Sequence, residues 1–462
     1  MISQIGLTNF KCFQGEHNFP LSRFNLLTGI NGRGKSTLLQ SLLLMKQTTD
    51  YDIKSNYIIL NGSCVQLGSF EDIKNSFSSN EDEIKFVFKS LIENNEELKN
   101  SLSEVISRYE LGLPRSENLE RDSDFLEYLK DMNNDAPKTF THEVHYTFEQ
   151  DDNDDSIAVI NEFSHKDIFD KDIETRALTQ YEDRIHLYYM DLNAKTSSFY
   201  DIDGYEDFWY FEHLIPIHGS YNEVLFKYIQ FISADRLGPK NFYQRQNVNQ
   251  GFRWIGARGE NVASILFLLR NENIHTSLYL GEDTNTLLQQ TQEWLNFIFD
   301  GAKININTEG GVVLISYNTK QGRERYKPSN VGFGYSYILP IVVAGLIAKP
   351  NEILIIENPE AHLHPKAQHK LTIFLAKVAA TGVQIFVESH SEHILNALRI
   401  CTLSQEGQEK ILNNTDLSIL YFQDNPTTPF VQIPIDEKGG IEEWPVGFFD
   451  QTDKDFKILF GF

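Results

Sequence analysis

Cysteine is scarce in this 462-residue chain: Cys12, Cys64 and Cys401 stand far apart. Three thiols so spaced make neither a disulfide framework nor a zinc pattern, and they fit a reducing compartment. Long hydrophobic runs are missing as well. The longest, Tyr337 to Ala348, is too short to span a bilayer and is interrupted by Pro340. Met1 to Leu7 runs straight into a strand-like segment without a leader pattern. The expectation is a soluble, cytoplasmic protein with no membrane partner. Positive charge is also short: 41 Lys and Arg stand against 65 Asp and Glu, a net −24. That balance argues against a broad basic surface for DNA phosphates on the single chain, though not against a local basic groove made by dimerisation. The hydrophobic fraction of 41% is ample for a core. The length suggests two or three domains, or one head with a large insertion.

What is present begins with Gly29-Ile30-Asn31-Gly32-Arg33-Gly34-Lys35-Ser36, which matches G-x-x-x-x-G-K-[ST] at every fixed position. Phe24 to Thr28 reads as a short buried strand before it, and Ser36 to Met45 as a helix after it. A strand, a glycine loop and a helix N-terminus form an anion site, because backbone N–H groups and the helix dipole converge on phosphate. ATP is therefore expected across Gly29, Asn31, Gly32, Arg33, Gly34, Lys35, Ser36 and Thr37. Lys35 reaches the β- and γ-phosphates and the Ser36 hydroxyl ligates Mg²⁺.

Farther along, Glu352 to Pro365 reads EILIIENPEAHLHP, a branched apolar run ending in acid. This is the pattern of a buried parallel strand with a carboxylate at its C-terminal end, where phosphates sit in open α/β sheets. Val383 to Leu395 reads VQIFVESHSEHIL, a second buried strand opening a helix through Ser-His-Ser. Between loop and acidic strand lies Asn330 to Ser336, NVGFGYS, ahead of the apolar helix to Ala348. Asp235 and Arg236, at the end of the strand from Tyr228, are either site residues or an internal ion pair. Gly259 with Arg258 approaches a phosphate or a partner subunit, or simply starts a helix. Residues 138–220 alternate in the β manner, and Lys303–Ile306 and Val312–Tyr317 read as a hairpin closed on Gly310-Gly311. Residues 79–137 are charged and helix-favouring, so they read as a helical insertion with Phe86 and Phe88 packing locally. Asp151 to Asp155 is a solvated hairpin loop or, less simply, a calcium loop.

The order of these segments resembles the ABC-type ATPase heads of the OLD, RecF and SMC families, with Asn9-Phe10-Lys11-Cys12-Phe13 as the opening and PEAHLHP as an OLD-like marker. The resemblance implies an α/β fold: an ABC-type P-loop head with a mixed or parallel central sheet, an antiparallel β lobe and a helical insertion. The head would comprise 1–78 and 221–402, the insertion 79–137, the β lobe 138–220 and a small C-terminal domain 403–462. It places Glu357 at the acidic position that holds Mg²⁺ through water, together with Ser36. The next position, a glutamate base in most such ATPases, is Asn358, and an amide accepts no proton. Glu360 is the expected replacement base, with slow hydrolysis if it does not reach. His390 falls at the switch histidine that reports the γ-phosphate. Gly332, Gly334 and Ser336 fall at the signature that seals the partner subunit's ATP, although the signature serine position is Gly332; Ser329 or Ser336 is its substitute. Gln47 and Gln66 both stand as the Mg²⁺-sensing glutamine, and Lys11 is either near the nucleotide or a solvated strand lysine. His362 and His364 alternate and are read as holding a dimer-facing loop, with a metal site as the weaker idea.

The tail GIEEWPVGFFD, Gly440 to Asp450, resembles a small uncharacterised domain on bacterial OLD-like ATPases. That resemblance implies a homodimer or higher homo-oligomer sandwiching ATP, as sensor or regulatory subunit of an antiphage system of the Septu, Gabija or PARIS kind. A separately encoded effector would do the damage: an HNH or TOPRIM-type nuclease, or a toxin. The alternative is an ATP-driven DNA clamp in repair or chromosome maintenance, with DNA as partner. A nucleotide-gated scaffold with little turnover is the second alternative, kept open by Asn358.

Overall fold

The computed structural model describes residues 1–51, 57–79, 82–92, 140–150, 157–169, 174–181, 184–191, 196–202, 226–245, 253–281, 285–318, 325–404 and 410–461. Two compact units emerge: Met1–Pro20 with Leu44–Lys227, and Leu21–Leu43 with Tyr228–Phe462.

The first unit is built on an antiparallel sheet of nine strands. In spatial order these are Thr196–Ile202, Arg184–Asp191, Glu174–Tyr181, Ile157–Phe169, Phe140–Gln150, Ile84–Ile92, Ile2–Thr8 and Glu16–Pro20, with Tyr57–Ile59 added on Ile157–Phe169. The β reading of 138–220 stands for the strands described there. The helical reading of 79–137 fails at its start. Ile84–Ile92 is a strand between Ile2–Thr8 and Phe140–Gln150, because Ile84, Phe86, Phe88 and Ser90 alternate inward at the β period. Phe86 meets Phe10 and Phe148 edge to face, each at 4.8 Å. The rest of that insertion and the run Asp151 to Asp155 lie outside the described residues.

The second unit carries a six-stranded sheet in the order Ile229–Ile232, Ile353–Glu357, Gln384–Glu388, Phe24–Gly29, Leu417–Phe422, Phe430–Gln432. The first five run parallel and the last turns back antiparallel. Each central strand is an apolar run because both its faces are covered, as parallel strands require. Helix Phe333–Ile347 is buried almost throughout, including Pro340. Helix Leu287–Phe299 contributes Trp294, fully buried, with its indole N–H donating to Leu278 O at 2.9 Å and its ring 4.8 Å from Phe374. The hairpin Lys303–Glu309 and Val312–Asn318 closes on Gly310-Gly311 as the sequence indicates.

The expected boundaries shift accordingly. Residues 1–20 and 44–78 group with the β unit, where Ile2–Thr8 pairs on both sides, with Ile84–Ile92 and with the edge strand Glu16–Pro20. The tail 403–462 lies within the second unit, where Leu417–Phe422 pairs along its whole length with the strand leading to the glycine loop.

Candidate functional site

Strand Phe24–Gly29 ends in the loop, and helix Lys35–Tyr51 begins at its far side. Gly29 adopts φ +123°, and a Cβ there would collide with the Phe422 backbone, so the close pairing of the two strands demands glycine. Ile30 N donates to Phe422 O at 2.9 Å and anchors the loop. Asn31, Gly32 and Arg33 are exposed at its crest, Gly34 and Thr37 are buried, and Arg33 pairs with Asp424 at 2.9 Å. Lys35 is buried and donates to Gly29 O at 3.1 Å and Ile30 O at 2.9 Å. An ammonium has three donors, so one is left for a phosphate oxygen. Burial lowers the Lys35 pKa, opposed by Glu388.

The acidic strands bring two carboxylates side by side. Parallel register sets Glu357 opposite Glu388. Ser36 Oγ donates to Glu388 Oε2 at 3.0 Å, whereas Glu357 Oε2 accepts the Ala234 amide at 2.9 Å. The carboxylate that Ser36 touches is thus Glu388, a residue without a role in the sequence-based expectation. Its signal was present, since VQIFVE closes on acid just as ILIIE does. Desolvation raises the pKa of both carboxyls. For Glu357 the Ala234 amide and Arg236 oppose the rise; for Glu388 the Ser36 bond opposes it and the charge of Glu357 adds to it.

A carboxyl raised by burial contributes stability that is full below its ordinary value near 4.5 and is lost as pH climbs through the raised value. Glu388→Gln removes that loss. In nucleotide-free, metal-free protein the melting temperature of the variant relative to wild type should therefore rise between pH 5 and pH 8. A difference that stays constant with pH would refute it.

Asn358 follows Glu357 at φ +42°, its N–H donating to Glu388 O at 2.8 Å and its Oδ1 buried without a partner. Glu360, the expected base, accepts at Oε1 from the backbone N–H of His390 at 2.9 Å, while its Oε2 is buried and unpaired. The pair thus brings Glu360 to the His390 loop. The His390 ring is exposed and held below the usual imidazole value by desolvation and then the Lys35 charge, with Glu360 and Glu388 opposing.

Arg236 is not Asp235's partner. It is 2% exposed and donates to Glu357 O at 3.1 Å and Asn358 O at 2.6 Å, with its guanidinium 5.2 Å from the Tyr337 ring centroid. Asp235 pairs instead with Arg258 at 3.1 Å. Gly259 lies against Pro340, so it serves helix packing.

Of the three signature candidates only Gly332 is on the surface, as N-cap of helix Phe333–Ile347. Gly334 is buried where a Cβ would press on His362 O at 3.1 Å, which turns it from a surface contact into a close-packing position. Ser336 is 5% exposed and faces the Tyr317 hydroxyl inside the unit, so it does not replace a signature serine at the surface. Ser329 is exposed and bonds Asn241. His362, at φ +61°, sits by the rings of Phe333 and Tyr337 at 5.5 and 4.7 Å. His364 caps helix Pro365–Ala380 by accepting from Lys366 N. Neither histidine joins a metal cluster. Among the described residues no three His, Cys, Asp or Glu side chains gather to hold a metal by themselves.

Gln47, Gln66 and Lys11 belong to the first unit. The Gln47 amide is consumed there, donating to Ile59 O and accepting from Val65 N at 3.0 Å. Gln66 is exposed and donates to Gly62 O at 2.7 Å. Lys11 N donates to Ile73 O, and burial lowers the pKa of its ammonium.

The loop, the parallel sheet and the paired carboxylates at its C-terminal edge define a P-loop NTPase of mixed α/β fold. Residues 1–395 match the AAA ATPase domain family, and the chain belongs to it. Residues 412–459 match a family described as a protein of unknown function (DUF3696). The energy-coupling factor transporter ATP-binding protein EcfA2 of Ureaplasma parvum serovar 3 is 28% identical over 95 residues, 20% of this chain. The match spans only 22% of that relative's length. Among solved structures, the SMC head bound to the C-winged helix domain of ScpA is 11% identical with a TM-score of 0.46, over 94% of this chain and 98% of that one. An SMC head with an extended coiled coil, bound to the C-terminal domain of ScpA from Pyrococcus furiosus, is 10% identical with a TM-score of 0.45, over 100% and 98%. No helix among the described residues is long and apolar enough to cross a membrane.

Proposed function

We propose that this chain binds ATP with Mg²⁺, hydrolyses it slowly and uses the bound triphosphate as a switch on a separate effector. The observation that carries the reading is a complete phosphate site whose base position is Asn358, with Glu360 tied to the His390 backbone. Lys35 and the loop amides bind and orient the phosphates. Ser36 and Glu357 offer hard oxygen donors, the kind that suits Mg²⁺. When bound, that cation neutralises charge on the transferring phosphoryl group. Two desolvated carboxylates in register, both with raised pKa, are chemically consistent with a cation there. Glu360 orients the His390 loop, so both residues can respond to an occupied site without supplying fast proton transfer.

Dimerisation around ATP, with the exposed Gly332 end of its helix facing the partner subunit's nucleotide, makes closure a population shift driven by contacts present only in the closed state. The effector reading, an antiphage nuclease or toxin held in check, is supported by the OLD-like PEAHLHP segment, by the tail and by the net charge of −24, which disfavours a DNA-phosphate surface. Gentle purification from the native host with ATP and Mg²⁺, followed by intact mass, should give a stoichiometric nuclease or toxin beside an ATP-dependent dimer. A homodimer alone that binds DNA when ATP is added would replace this reading with that of a DNA clamp.

A further inference from the structure

We propose that Glu388 is a metal-holding carboxylate of the nucleotide site, taking with Ser36 the divalent cation that accompanies the triphosphate. It stands on the neighbouring strand, in register with Glu357. The inference rests on the nucleotide reading above.

Three observations carry it. First, the hydroxyl of Ser36, the loop residue that meets the cation, donates to Glu388 Oε2 at 3.0 Å. Glu388 therefore lies one hydrogen bond from the metal-facing oxygen, while Glu357 Oε2 is engaged by the Ala234 amide. Second, Glu388 is 9% exposed and stands in register with Glu357, so two like charges share one desolvated strand edge. The cations beside them spend donors elsewhere: Lys35 on Gly29 O and Ile30 O, Arg236 on Glu357 O and Asn358 O. A buried carboxylate beside a half-buried one is costly unless a cation joins them. Third, the backbone N–H of Asn358 donates to Glu388 O, so the strand that carries the acid and the turn that lacks it are fastened together. Register then does what the local sequence does not. It sets a second carboxylate beside Glu357, at the end of the strand lying between Ile353–Glu357 and Phe24–Gly29.

The test is Mn²⁺ binding followed by electron paramagnetic resonance, with a non-hydrolysable ATP analogue, on the full chain. Metal-free analogue binding is measured in parallel in EDTA. Glu388→Gln should raise the Mn²⁺ midpoint about 10- to 100-fold, the range for losing a supporting metal-site carboxylate, while metal-free binding is kept or tightened. A residue that only buttressed the strand would weaken both together. A Mn²⁺ midpoint in Glu388→Gln equal to wild type, with Ser36→Ala shifted, overturns the assignment and leaves the nucleotide reading standing. Wild type that binds no analogue overturns both. If Glu388→Gln does not fold, Glu388→Asp decides, since it withdraws the same charge by one methylene. An intermediate midpoint supports the assignment, and an unchanged one overturns it.

Discussion

Lys35→Ala is expected to lower ATP turnover by at least about 100-fold and to weaken nucleotide binding in step, because it deletes a buried cation at the phosphate loop. The folded state should survive. The carbonyls of Gly29 and Ile30 lose their ammonium donor, but Ile30 is 44% exposed and water can replace it there. Lys35→Arg should not restore activity, since a compact ammonium carried on a flexible stem is what this loop grips, and a planar guanidinium is larger. Binding of a fluorescent ATP analogue and phosphate release, with thermal unfolding as the control on folding, measure all three expectations. Analogue affinity within threefold of wild type would show that the triphosphate lies elsewhere.

Arg236→Ala carries the second large effect, and it falls on stability first. The guanidinium donates to two backbone carbonyls at the Glu357-Asn358 turn and lies over Tyr337. Removing it leaves those half-buried carbonyls without their donor, opens a cavity and frees a turn whose Asn358 is held at φ +42°. Together these cost on the order of 3–5 kcal/mol. Arg236→Met refills most of the volume without the donors, so it should recover only part of the loss. Chemical denaturation of the three proteins separates volume from hydrogen bonding. An Arg236→Met variant as stable as wild type would show that packing alone matters at this position. Turnover should fall in both variants, because the same turn sets the direction of Glu357 and Asn358.

The glycine loop, its strand and its helix were legible from Gly29 to Thr37 because a phosphate cradle is a local object: glycine, Lys35 and Ser36 must be neighbours in the chain. The two acidic strands were legible for the same reason, as apolar runs ending in carboxylate. Ile84–Ile92 shows the limit of that approach. Its inward-facing alternation is plain in the residues, but the surrounding charge and the acidic flanks drew the reading toward a helix. The signature candidates show another limit. Gly332, Gly334 and Ser336 look equivalent on the chain, yet a helix turns successive residues by about 100°. One therefore caps the helix at the surface and the other two are buried.

Residue order alone carries the glycine loop with its Lys and Ser, two apolar runs ending in carboxylate, an amide directly after the first of them, and a net charge of −24. The tertiary structure decided which of those groups meet. It placed Glu388 and not Glu357 on Ser36, gave Arg236 to a backbone turn and not to Asp235, and drew Leu417–Phe422 into the sheet beside the phosphate loop. The reason is physical. Parallel strands are joined by long connections, so their partners and register are set by burying both faces of the sheet, and no short window of residues contains that choice.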